Sequence, residues 1–195
     1  MIQYPSGKKV NSKQKSLGIT SRRGMSLEED INKTNEAYLF KDRAVVHKKP
    51  TPIQIVNVDY PSRNKAKITE AYFRHASTTD YQGVYQGYAL DFEAKETKNK
   101  TLFPLASLHE HQLNHIKAVK RHGAIAFLII RFNALDETYL IFAEDLIKHI
   151  NQDDVRSLSI QWIRSIGYEV SGTYQVPCDY IMIIDDYIKR SSYDK

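Results

Sequence analysis

Asp80, Glu93 and Lys95 are spaced as D-x12-E-x-K, a minimal kit for cutting a phosphodiester. On an extended strand, side chains two apart share a face. Glu93 and Lys95 then stand side by side, with Ala94 pointing the other way. Two carboxylates suit a hard divalent cation, and Mg2+ keeps several waters and asks the protein for only a few oxygens. Thr78, two residues before Asp80, offers a hydroxyl or carbonyl oxygen to the same cation. Lys95 would hold a water or offset charge that builds up in the transition state. E-x-K alone is a weak signal, because strand surfaces often carry Glu-x-Lys ion pairs. Here Leu90 and Phe92 flank the acids, so the strand is buried on one face. Asp80 precedes it across a glycine-containing turn. Carboxylates placed together are also costly without a cation.

These side chains need a sheet and a helix to position them. The strand bearing Glu93 and Lys95 is expected over 88–97, after a turn bracketed by Gly83 and Gly87. Leu113, Ile116, Val119 and Lys120 recur at helical spacing, which gives a helix over 108–122 with Gly123 as its C-cap. The continuously apolar stretch 124–132 is a central strand. A further strand is expected at 138–142, and helices at 143–150, 156–166 and 180–189. Upstream, Ser26 and Glu29 form a capping box that opens a helix over 27–40. A short apolar run at 44–47 follows, then Lys48, Lys49 and the breakers Pro50 and Pro52. From Ile53 the chain is extended. The stretch 59–74 alternates, is basic, and interleaves Tyr60, Tyr72 and Phe73. It turns at Pro61-Ser62-Arg63-Asn64, so a protruding two-stranded ribbon is expected. Mixed strands and helices imply an α/β fold, with a mixed central sheet and helices on its faces.

The chain has 195 residues, enough for one domain, with residues 1–24 reading as a flexible basic arm and 25–195 as a single unit. The longest strongly apolar run, 125–130, is far too short to cross a bilayer. No apolar leader is visible in the N-terminal residues, and a single cysteine, Cys178, rules out an internal disulfide and a cysteine-built metal cage. No membrane partner and a cytoplasmic location are expected. Residues 1–133 carry 22 Lys and Arg against 12 Asp and Glu, whereas 134–195 carry 6 against 11. That asymmetry suits a polyanionic partner at the N-terminal two-thirds. His109, His111 and His115 resemble a metal cluster, with His111 and His115 at i, i+4, but no third soft ligand is in evidence and no H-E-x-x-H pattern occurs, so they read as surface or DNA-facing groups. Asp185-Asp186 reads as a solvated helix face, and Trp162 and Cys178 as core.

Five segments resemble, in order, motifs of the RecU family of bacterial Holliday junction resolvases. They are Arg23-Gly24-Met25-Ser26-Leu27-Glu28, His47-Lys48-Lys49-Pro50-Thr51-Pro52, Glu70-Ala71-Tyr72-Phe73, Ser77-Thr78-Thr79-Asp80-Tyr81, and the run from Asp91 through Glu93 and Lys95 to Lys100. The resemblance implies a restriction-endonuclease-like core acting as a homodimer that cuts four-way DNA junctions with Mg2+ in recombination and repair. It implies a metal site on Thr78, Asp80, Glu93 and Gln112, with Lys95 as the transition-state lysine. By residue type alone, Gln112 would read as an ordinary helix-surface group. Glu28 is a possible additional acid, or simply a charge at a helix N-terminus. Glu96 faces away from Glu93 and Lys95 and stays outside the site.

The family's stalk falls on about 53–75, the ribbon described above. Arg63, Lys65 and Lys67 are expected to touch phosphates, with Arg22, Arg23, Lys48, Lys49 and Arg74 as further DNA contacts. The stalk aromatics are candidates for stacking on unpaired bases. A recombinase and branch-migration proteins are the implied protein partners, and the arm is shorter than the family's. Two rival readings stand beside this one. The first is a non-cleaving junction binder that anneals strands or modulates a recombinase. The second is a sequence-specific duplex endonuclease on the same core.

Overall fold

The computed structural model describes residues 26–62, 64–74, 78–152 and 155–193. The basic arm, with Arg22 and Arg23, and Arg63 of the ribbon turn lie outside the described residues.

Helix α1 (Leu27–Phe40) opens on the capping box: Ser26 Oγ accepts from Glu29 N, and Glu29 returns a carboxylate to Ser26 N. Its inner face buries Leu27, Ile31 and Tyr38. Strand β1 (Val45–Lys48) follows, then the ribbon strands β2 (Ile53–Asp59) and β3 (Lys67–Phe73), then β4 (Tyr81–Tyr85) and β5 (Tyr88–Thr97). After them come β6 (Leu102–Pro104), a 3-10 turn at Leu105–Ser107, α2 (Glu110–Arg121), β7 (Ile125–Phe132), β8 (Glu137–Phe142) and α3 (Ala143–Ile150). The chain ends with β9 (Ser157–Ser159), α4 (Ile160–Ile166), β10 (Tyr168–Glu169) and α5 (Ile181–Tyr193).

A six-stranded sheet in the order β1-β4-β5-β7-β8-β10 forms the middle layer. Only the central pair β5 and β7 runs parallel, joined by α2. The sheet is therefore mixed and helix-flanked, as expected. Alternation along β5 and β7 sorts the residues. Leu90, Phe92, Phe127 and Ile129 face α1 and α5, in a core shared with Tyr38, Tyr81, Tyr180 and Ile184. Leu128, Ile130 and Phe132 face the other way, onto Phe103, Leu146, Leu158 and Ile163. Ile116 of α2 packs on Ala126 and Ala143. Tyr81, Phe92 and Phe127 stack in a row, with centroids 4.8 and 4.5 Å apart. Asp91, Glu93 and Lys95 alternate out of that row and stand on the α2 side of β5.

Three expectations needed correction. Gly83 is not part of the turn but lies inside β4, opposite Val46. A Cβ there would come within 2.3 Å of Val45 O, so the close approach of β1 is what requires glycine. The turn is Gln86-Gly87, both with positive φ (48° and 81°), the geometry that suits a tight hairpin. The segment read as one helix over 156–166 splits at Ser159. Residues Ser157–Ser159 pair with β6, and Ser159 then caps α4 through Trp162 N at 3.1 Å. Asp185 is not a solvated charge: it accepts from Tyr85 Oη and lies 3.9 Å from Arg43.

The ribbon β2–β3 forms its own two-stranded sheet, exposed along nearly its whole length. Its base is closed by Arg74 N donating to Pro52 O at 2.9 Å.

Candidate active site

Glu93 is fully buried on the α2 face of β5, level with Leu128 of β7. Hydrogen bonds and an ion pair surround its carboxylate. Lys95 Nζ and Gln112 Nε2 both lie 2.7 Å from Oε1, and Asp80 N donates to Oε2 at 3.0 Å. Burial disfavours the ionised form and Asp80 beside it adds repulsion, while Lys95 pulls the other way. The balance leaves the Glu93 pKa raised to about 7.

Each neighbour is set by its own element. Lys95 follows Glu93 at the strand period. Asp80 sits just before β4, and its carbonyl accepts from Lys49 N at 2.7 Å, which extends the β1–β4 ladder by one rung. Gln112 stands at the start of α2, where Oε1 accepts from His109 N at 3.0 Å. Its amide oxygen thus closes the helix start, and its NH2 group faces Glu93. Thr78 is half-buried beside this segment, with Oγ1 donating to Thr79 O at 3.3 Å.

The same edge opens into a cleft of about 240 Å³ lined by Leu27, Glu28, Asp80, Lys95 and Glu96, among others. Glu28 therefore shares a cleft with Asp80 and Lys95, where its carboxylate pairs with Lys48. Glu96, on the opposite face of β5 from Glu93, accepts from Leu27 N and ties the start of α1 to the strand. Arg131 beside it on β7 pairs with buried Asp30 at 2.8 Å, a second tie on the same helix turn.

Among the described residues no cluster of three His, Cys, Asp or Glu side chains could hold a metal. A cation here would rest on the carboxylates of Asp80 and Glu93 and on neutral oxygens. That donor set fits a hard, hydrated ion far better than zinc. A buried carboxylate with a raised pKa, next to a second carboxylate, is also a site whose charge a cation would relieve. Gln112 would join as an oxygen ligand only with its amide turned over, at the cost of its bonds to His109 N and Glu93 Oε1.

Two participants escape the sequence pattern, Asp91 and His115. Asp91, two residues before Glu93 on the same face, is buried and accepts from Thr79 Oγ1 and from Lys49 Nζ, the latter at 3.1 Å. His115, one turn beyond Gln112, reaches Asp91 Oδ2 at 3.2 Å instead of facing solvent. The strand period flags Asp91, and spacing along α2 places His115 on the Gln112 side, but neither identifies its partner. Of the basic residues, Lys65 and Lys67 are exposed on the ribbon, and Arg74 is exposed with Nε on Gln54 Oε1 at 2.9 Å. Lys48 is paired with Glu28, and the Lys49 ammonium is turned inward.

Residues 22–186 match the family described as Recombination protein U. The chain is 50% identical to the Holliday junction resolvase RecU of Geobacillus kaustophilus, over 95% of this chain and 96% of that one. It is 51% identical to the protein of the same name from Oceanobacillus iheyensis (94% and 98% covered), and 46% identical to that of Staphylococcus carnosus over the full length of both. A solved structure of Archaeoglobus fulgidus Hjc, a Holliday junction resolvase, superposes with a TM-score of 0.40 at 11% identity, over 67% of this chain and 86% of its own. That likeness is too distant to add to the argument.

Proposed function

The chain belongs to the RecU family, and on that premise we propose that it is a metal-dependent endonuclease that resolves four-way DNA junctions by paired, symmetric nicks. The observation that carries this reading is the convergence of Asp80, Lys95 and Gln112 on the buried Glu93 carboxylate. An ordinary structural ion pair would not need a second acid beside it.

The proposed cofactor is Mg2+, held by Asp80 and Glu93 with Thr78 and Gln112 as neutral oxygen donors. When bound, such an ion offsets negative charge on the phosphoryl oxygens. The chain's own groups do the rest. Lys95, anchored on Glu93, holds an ammonium at the cleft where it would orient the attacking water and meet developing charge. Asp80 N fixes the Glu93 carboxylate, which limits reorganisation as the phosphate arrives, and Gln112 Nε2 helps to hold it until the amide turns over to offer its oxygen to the ion. Glu28 across the cleft is a possible additional acid, with Lys48 free to exchange it for a phosphate. The exposed ribbon, with Lys65, Lys67, Arg74 and the neighbouring Arg63, is proposed to brace the open centre of the junction, and Arg22 and Arg23 of the arm to bind phosphates. A homodimer would set two such sites on near-equivalent opposing strands. A recombinase and branch-migration proteins are the proposed partners, in the cytoplasm. Among the described residues no helix is long and apolar enough to cross a membrane.

The test is cleavage of a mobile four-way substrate with and without Mg2+, beside a linear duplex. Metal-dependent cutting of the junction is expected, and it should disappear in Glu93→Gln. Binding without cleavage would instead favour a strand-annealing modulator, and equal cutting of linear duplex a sequence-specific endonuclease.

A further inference from the structure

The basic pair Lys48-Lys49 reads at first as a phosphate-binding patch, but Lys49 makes a different set of contacts. Its Nζ lies 3.0 Å from Thr79 Oγ1 and 3.1 Å from Asp91 Oδ2. Thr79 in turn donates to Asp91 Oδ1, and His115 Nε2 meets Asp91 Oδ2 at 3.2 Å. Only 17% of the Lys49 side chain and 10% of that of Asp91 reach solvent. Thr79 itself is buried, whereas Thr78 and Asp80 on either side are half-exposed. The backbone joins in, with Lys49 N donating to Asp80 O at 2.7 Å.

We propose that Lys49, Asp91, Thr79 and His115 form a positioning network that sets the 78–80 segment against β5, so that the Asp80 carboxylate is held where it meets Glu93. The charges favour this over a DNA contact. An ammonium so nearly enclosed, with a carboxylate and a hydroxyl on it, would have to abandon a buried acid to reach a phosphate. That would leave Asp91 with only His115 and Thr79, and a buried charge stripped of a partner is strongly destabilising. Removing Lys49 or Asp91 instead loosens the hold on Thr79 and lets Asp80 wander from its place beside Glu93. Partners that orient metal ligands without touching the ion themselves commonly change metal affinity by about 10–100-fold when removed.

The inference rests on the nuclease reading, and the experiment separates the two. Calorimetric titration with Mn2+ or Mg2+, without DNA, is run on the full chain and on Lys49→Met, Asp91→Asn and the double variant. Four-way junction affinity in EDTA is measured across a salt series. Cation affinity should fall about tenfold or more in either single variant, with the double variant no worse than the weaker single, because the network acts as one unit. Junction affinity in EDTA should stay within about twofold, with an unchanged salt slope. A salt slope reduced by about one in Lys49→Met would make Lys49 a phosphate contact and overturn the proposal. So would unchanged cation affinity in both single variants. Should the charge variants misfold, Thr79→Val against Thr79→Ser reads the same network: the valine should lose cation affinity and the serine retain it, and equal affinities would refute the idea. A wild-type chain that binds no cation would sink the nuclease reading itself, whatever the variants do.

Discussion

Asp80 donates its backbone N–H to Oε2 of Glu93 at 3.0 Å, so the loop that supplies one acid also holds the other in place. The bond draws two carboxylates together where, among the described residues, Lys95 offers the full positive charge paired with Glu93. The geometry proposed to hold a cation leaves the protein without one at an electrostatic cost, and that cost has measurable consequences.

The first is a pH dependence of stability. Glu93 titrates near 7 in the folded protein, above the ordinary carboxylate value of 4.5, because burial penalises its charge. Between those two values the folded state holds more protons than the unfolded one. Stability of the metal-free chain should therefore fall as pH rises through that window, by an amount on the order of a few kcal/mol at most. Urea midpoints measured in EDTA at pH 5 and pH 8 should show the lower value at pH 8 from this group. Glu93→Gln should shrink the difference, and a difference of the same size in the variant would remove Glu93 as its source. Saturating Mg2+ at pH 8 should raise the wild-type midpoint and leave that of Glu93→Gln unmoved.

Lys95 is the residue whose loss should separate binding from chemistry. Its side chain is 20% exposed and its ammonium rests on Glu93 Oε1, so methionine can follow the same path without the charge. Lys95→Met should lower single-turnover junction cleavage by about 10²–10³. Junction affinity should change little. Single-turnover rates at saturating metal check this, and a rate within threefold of wild type would show that the ammonium serves only to neutralise Glu93.

Much of this was legible in the chain because the signals are local. The capping box of Ser26 and Glu29 marks the start of α1 correctly. The apolar run of β7 and the helical spacing of Ile116 and Val119 fix the central crossover. Glu93 and Lys95 share a face as the strand period requires. What escaped depends on distant pairing. β9 has three residues and exists because Leu102–Pro104 lies opposite it, so the helix expected over 156–166 ran across its position. Gly83 answers to the backbone of β1, some forty positions upstream, and no local pattern reports that approach. Lys49 and Asp91 are 42 residues apart, and two adjacent lysines look alike until the fold turns one outward and the other in.

Gly83 gives a prediction of its own. A methyl group there meets Val45 O at 2.3 Å and Val46 Cα at 2.6 Å, both backbone atoms that cannot rotate away. Gly83→Ala should push β1 off β4 and destabilise the chain by about 2 kcal/mol or more, read from denaturant midpoints. The displaced rung includes Lys49 N and Asp80 O, so cation affinity should fall with stability. A variant as stable as wild type would mean that β1 is free to shift without cost.

The ribbon should be separable from the fold and indispensable to the reaction. Its strands are exposed, with Tyr60, Tyr72 and Phe73 at 71%, 60% and 83% relative accessibility, so the core loses little packing without them. Pro52 O and Arg74 N are already hydrogen-bonded across its base, so two glycines can replace residues 53–73 without straining the ends. The shortened chain should keep its melting temperature within a few degrees and its cation affinity intact, because Asp80, Glu93 and Gln112 lie on other elements. Cleavage of four-way junctions should nonetheless fall by at least tenfold if the ribbon braces the open centre through phosphates and stacked bases. Calorimetry and a junction cleavage assay on the one variant read both halves. A shortened chain that melts as before and cuts junctions at the wild-type rate would confine recognition to the cleft between α1 and β5.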